Sequence, residues 1–187
     1  MRVFNFITGR NFNSLINYFD NPDAKEVTEH TLNIIWGKQR LINPLSVVAI
    51  MMFLMFSFSI PIQMTLVNFD LSPPVAVSII GPAILIIVLL VVLAMKATVK
   101  GSKWAVIIFK YLFMIDLLIF LIAFCSSFLV GEIHWEIILI IAGMLLLSRF
   151  LMNGNSFMIV IKFYLHQRLA LKAIAEVADK ERMHQGE

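Results

Sequence analysis

The sequence predicts an all-α integral membrane protein: a four-transmembrane-helix bundle with amphipathic N-terminal helices and a cytoplasmic C-terminal helical extension. Apolar runs at 45–67, 71–95, 104–130 and 137–161 each supply the ~20 residues that a helix needs to cross a bilayer core. Hydrophobic residues make up 60% of the 187 positions and charged residues only 14%, which excludes an ordinary soluble domain. The basic residues, finally, alternate between connections. Arg2, Arg10, Lys25, Lys38 and Arg40 precede the first run, Lys96, Lys100 and Lys103 separate the second from the third, and Lys162, Arg168, Lys172, Lys180 and Arg182 follow the fourth. The connections 68–70 and 131–136 carry none. By the positive-inside rule both termini face the cytoplasm, and the expected location is the bacterial inner membrane, crossed several times.

The segment 1–44 has helical patterning of its own. Phe12, Leu15, Ile16 and Phe19 fall on one face of a short helix. Asn21-Pro22-Asp23 reads as the start of a second helix, with Asn21 as cap and Pro22 in the first helical position. Ala24, Val27, Thr31, Ile34 and Ile35 then recur at three- and four-residue spacing. Both helices are expected to be ordered, either lying along the inner membrane face or packed as a hairpin on the base of the bundle. Trp36, just before Lys38 and Arg40, reads as an interfacial anchor.

The first run mixes Met51, Met52 and Met55 with Phe53, Phe56 and Phe58, a packing or lipid-facing pattern with no His or Cys nearby to hold a soft metal. Pro61 is expected to kink its outer end. Pro73 and Pro74 open the second run, where first-turn prolines cost little. Gly81-Pro82 lies near its middle, and Pro82 cannot donate to the carbonyl of Ser78, so a kink is expected there. Trp104 and Trp135 sit at opposite ends of the third and fourth runs, as anchors should. Cys125, alone, cannot form an intramolecular disulfide.

Ionisable residues inside a span are costly and draw attention. Lys110 is near enough to the cytoplasmic end to snorkel to the headgroups. Asp116 and Arg149 lie deeper, at similar distances from the connection their helices share. Small and polar residues share their faces: Ala123 and Ser127 with Asp116, Ala142, Asn153 and Ser156 with Arg149. An Asp116–Arg149 ion pair zipping the third span to the fourth is therefore expected, as structural glue or as a coupling site. The patch Asn153-Gly154-Asn155-Ser156 is read as lying inside a continuous helix, because that matches the length of the third span. A break there would bring Arg149 nearer the inner surface. Beyond Lys162 the helix continues into the cytoplasm as the 162–187 tail.

No motif names a substrate, and no catalytic, cofactor-binding or metal-binding residues are expected. His134 and Glu136 are too few for a metal site. Asp116 is the only carboxylate well inside the membrane, so an aspartate pair is lacking and an enzyme is not expected. The net charge of +3 sits beside the membrane, where its partners are lipid headgroups rather than nucleic acid. In size, span number and short outer connections the chain resembles the small inner-membrane immunity and conjugative entry-exclusion proteins of bacteria. That resemblance implies a non-catalytic protein that binds another membrane protein or a second copy of itself. An accessory subunit of a membrane complex fits equally well. The alternative is a small-molecule or proton-coupled transporter using Asp116.

Overall fold

The computed structural model describes residues 7–35, 44–68, 72–131 and 134–185. Seven α-helices, and no strand, occur among them: α1 Arg10–Asp20, α2 Ala24–Ile35, α3 Leu45–Asn68, α4 Pro73–Val99, α5 Lys103–Val130, α6 Trp135–Met152 and α7 Asn155–Gln185. The helices α3 to α6 are long and apolar enough to cross a membrane. Trp36 lies outside the described residues.

Local chemistry sets the ends of these helices. Pro73 and Pro74 open α4, and Ser102 accepts the Trp104 N–H at the start of α5. α5 stops at Gly131, whose φ of 79° is left-handed, a usual glycine stop. Pro61 and Pro82 lie within α3 and α4, which run past them. Asp23 rather than Asn21 caps α2, its Oδ1 accepting the Lys25 N–H and its carbonyl the Val27 N–H. The Asn21 N–H instead donates to Asn17 O and closes α1.

α3 is the central helix. Ile50, Leu54 and Phe58 pack with Leu112 and Phe113 of α5 and with Ile141 and Leu145 of α6 in one buried cluster. α4 stands at the edge: 11% of its apolar window is buried against 39% for α3, so lipid is the natural cover for most of it.

α1 belongs to this core. Phe12 and Leu15 are fully buried, and Phe12 stacks on Phe157 at 6.0 Å. Phe157 in turn meets Phe109 edge-on at 5.6 Å. Burying such a side chain is worth about 1.5–3 kcal/mol, which fixes α1 against α5 and α7. Of the two placements expected for the N-terminal helices, α1 takes the one packed on the bundle. α2 buries no residue fully and rests on α7.

The continuous fourth helix is not found. Its apolar stretch ends at Met152, where Asn153 N–H bonds Arg149 O and Gly154 N–H bonds Leu151 O; the ladder restarts when Met158 N–H reaches Gly154 O. α7 then runs on past the start of α5, from Phe157 against Phe109 to Arg168, whose Nη1 donates to Gly101 O. Ala170 is the last buried residue among those described, and 171–180 are exposed throughout.

Candidate functional site

Polar side chains gather at three places, one at mid-bundle and two at the end that carries the terminal helices. At mid-bundle Asp116 is fully buried, and Ser57 of α3 donates its hydroxyl to Asp116 Oδ2. Oδ1 has no hydrogen-bond partner, nor has the buried hydroxyl of Ser148 on α6. At 1.5 Å per residue Asp116 lies roughly 20 Å from the Val130 end of α5, and Ser148 roughly 20 Å from the Trp135 start of α6. The two unpartnered groups thus share a depth with the Asp116–Ser57 bond, giving a thin polar layer across three packed spans.

The expected Asp116–Arg149 ion pair is not formed. Equal distance from a shared connection fixes depth but not direction around the helix, and the carboxylate turns to α3. Arg149 lies in the last turn of α6, because the helix stops three residues later. It lines a cavity with Arg10, Asn11 and Asn153.

Asn153 forms the second place, the joint between α6 and α7. Its Nδ2 donates to Thr8 O at 2.7 Å and Arg149 O at 2.9 Å, and its Oδ1 accepts the Phe12 N–H at 3.2 Å. One amide thereby ties α1 to the end of the fourth span. Gly9 makes room for it: φ is +93°, and a Cβ would stand 2.1 Å from Asn153 Oδ1. Lys110, expected at the headgroups, reaches Asn13 Oδ1 on α1 at 3.4 Å.

The third place lies between α1, α2 and α7. Tyr18 donates to Glu26 Oε2 at 2.5 Å, and Lys162 Nζ is 3.3 Å from the same oxygen and 4.0 Å from the Tyr18 ring centre. His166 Nε2 is 2.8 Å from the Tyr18 hydroxyl. Since that hydroxyl spends its one proton on Glu26, Nε2–H is the donor and His166 is the Nε2–H tautomer. The bond from Tyr18 is the main influence holding the Glu26 carboxyl below its ordinary range, while burial is the main one pushing Tyr18 up to about 12. Burial also lowers His166 and His30, against the pull of Glu26 on the former. A cavity of about 400 Å³ opens here, lined by Glu26, Glu29, His30, Asn33, Lys162 and His166. Lys103 Nζ sits 2.7 Å from both carboxylate oxygens of Asp20 and pins the far end of α1 to α5.

Sequence reasoning singled out none of Tyr18, Glu26, His30, Lys162 and His166 as a site. The available signal was a pair of facing i,i+4 sets, Glu26 with His30 and Lys162 with His166, but nothing local says that they face each other. Gly81 and Pro82 are exposed, and a Cβ placed on Gly81 would meet no neighbouring helix within 4 Å among the described residues. Trp104 and Trp135 are exposed at the starts of α5 and α6, at opposite ends of the bundle. Among the described residues no group of three or more His, Cys, Asp or Glu side chains is placed to hold a metal ion. No family model, curated protein or solved structure matches the chain.

Proposed function

We propose that this is a non-catalytic protein of a bacterial inner membrane, with both termini cytoplasmic, that acts by binding another membrane protein. The observation that carries the reading is the outer half of α7. Beyond Ala170 the helix leaves the bundle, and Leu171, Ile174 and Val177 stand exposed along one side of it. A helix of such length gains little from its own hydrogen bonds in water, and an exposed apolar row is a usual mark of a contact surface. Immunity proteins, entry-exclusion proteins and accessory subunits all work by such contacts. The orientation rests on the alternation of basic residues between connections. Reporter fusions after Lys100 and at the C-terminus are expected to report the inner side, and a fusion after Phe69 the outer side.

The test is co-purification of the full chain with its membrane partners, compared with Leu171→Asp/Ile174→Asp. Both positions are exposed, so helicity and insertion should be unchanged while a specific partner is lost. Equal recovery of every partner by the variant would remove this surface from the account.

A second reading, transport coupled to a proton or small molecule, is favoured by the buried Asp116 with its unpartnered Oδ1. Asp116→Asn keeps the size and still accepts from Ser57, but cannot titrate. A coupled transporter would lose pH-driven flux with this change, whereas a binding protein keeps its partner.

A further inference from the structure

We infer that the cavity between the α4–α5 turn and α7, about 640 Å³, binds the headgroup phosphate of an anionic phospholipid. Lys100 and Arg168 both line it, Ser102 and Gln167 add a hydroxyl and an amide, and no carboxylate is among its lining residues. Lys100 is exposed, and its ammonium has no partner among the described residues. Arg168 donates from Nη1 to Gly101 O at 3.4 Å, which leaves most of its planar fork of five N–H groups for phosphate oxygens. Lys96, exposed one turn before Lys100 on the same side of α4, adds a third positive charge.

The position selects a lipid. Val99 ends the apolar stretch of α4 and Lys100 follows it, so the cavity opens where a span passes from hydrocarbon to headgroups. The bond to Gly101 O holds Arg168 at the same level. From the cavity wall, Val99, Met95, Val92 and Val88 run down one side of α4 at three- and four-residue spacing, all exposed. A lipid can lay its chains along this row while its phosphate reaches Lys100 and Arg168. A free phosphate would gain nothing from the row, and a zwitterionic headgroup would bring its own ammonium against the two cations.

The site is also built rather than incidental. Lys100 and Arg168 are far apart in sequence, and a close backbone approach brings their segments together. Gly101 has a φ of +57°, and a Cβ on it would stand 2.2 Å from Tyr164 O, so only glycine lets the turn press against α7. The turn itself is fixed by Gly101 N–H to Thr98 O and Ser102 N–H to Ala97 O. Leu165 and Ala170, on either side of Arg168, are buried and seat that stretch of α7. Two cations held beside one space at the end of a span make a phosphate clamp. It lies nearer the bundle than Ile174 and Val177, so it stands whether or not a protein partner docks on the outer half of α7.

The test uses the full-length protein in detergent micelles, with bound lipid counted by native mass spectrometry during titration with phosphatidylglycerol or phosphatidylcholine. Wild type should hold one phosphatidylglycerol in preference to phosphatidylcholine. Lys100→Gln, at an exposed position, should keep wild-type helicity but weaken that binding about fivefold, and Lys100→Gln/Arg168→Gln by a further factor of about five. Lys100→Arg keeps the charge and should bind as wild type does. Lys180→Gln, which removes a charge of the same sign from the exposed stretch of α7, should change nothing. Unchanged binding by Lys100→Gln, an equal loss with Lys180→Gln, or a loss with Lys100→Arg as large as with Lys100→Gln would overturn the proposal. So would displacement of phosphatidylglycerol by equimolar inorganic phosphate or glycerol phosphate, which would make the site one for soluble anions.

Discussion

Asp116 at mid-bundle has one hydrogen-bond donor, Ser57, and one carboxylate oxygen with no partner. Glu26, at the terminal end, has Tyr18, Lys162 and His166 around a single oxygen and is half open to water. Two carboxylates of one chain are therefore held in opposite ways. The buried one has little redundancy, so removing its donor costs the full desolvation of a polar group. The outer one is held by several weak contacts that solvent screens, so no single contact matters much, but their protonation states do. Stability should concentrate in the first region and responsiveness in the second.

The sharpest way to break this contrast is Ser57→Ala, which strips Asp116 of its donor. A loss of about 2–3 kcal/mol is expected, read as a lower midpoint of thermal or denaturant unfolding in detergent. Ser57→Ala/Asp116→Leu should recover most of it, because removing both partners leaves no orphan. A double variant no more stable than Ser57→Ala would mean that Asp116 has support other than Ser57.

Gly9→Ala should come next, at about 1–3 kcal/mol, since it strains a positive φ and drives a Cβ into Asn153. Its effect should be local: faster amide exchange in α1 with α5 unchanged. Equal loosening of both helices would make the terminal end part of the core rather than a latch upon it. Tyr18→Phe, smaller again, removes the donor to Glu26 and should cost about 0.5–1 kcal/mol, because the site is partly solvated.

The same contrast explains what the sequence makes legible. Each apolar run is a local property of ~20 residues, and the matching ends, with Ser102 before α5 and Gly131 after it, are written in single residues. Depth was also legible, since counting from the short connection places Asp116 and Arg149 level. Direction was not. At 100° per residue, which neighbour Asp116 faces depends on how three helices pack, and α3 takes it. The Asn153-Gly154 break carried a visible local signal, a polar pair with glycine, but the expectation of equal span lengths outweighed it. Tyr18 and His166 lie at opposite ends of the chain, and no periodicity in either helix announces their contact.

Acidification should separate the two regions most finely. His30 and His166 both lie below their ordinary value of 6.5 because burial disfavours the imidazolium. The groups facing them are Asp23 at the cap of α2, Glu26 and Glu29 from α2, Tyr18 from α1 and Lys162 from α7, so attraction by the carboxylates is opposed by the lysine and by the second histidine. With the folded values depressed, the undocked histidines take up protons that the docked ones do not. Their contribution is thus fully present above pH 6.5 and is lost as pH falls below it toward the folded values. Glu26 works in the same direction lower down, contributing above its ordinary 4.5 and losing that as pH falls further. Amide exchange in α2, corrected for its intrinsic pH dependence, should therefore quicken as pH drops below 6.5, while exchange in α3 and α5 stays flat. His30→Gln/His166→Gln should abolish the dependence in that window and leave the Glu26 step below it. If α2 loosens with the same pH profile in the variant, the histidines are not the sensors and the latch responds through its carboxylates alone.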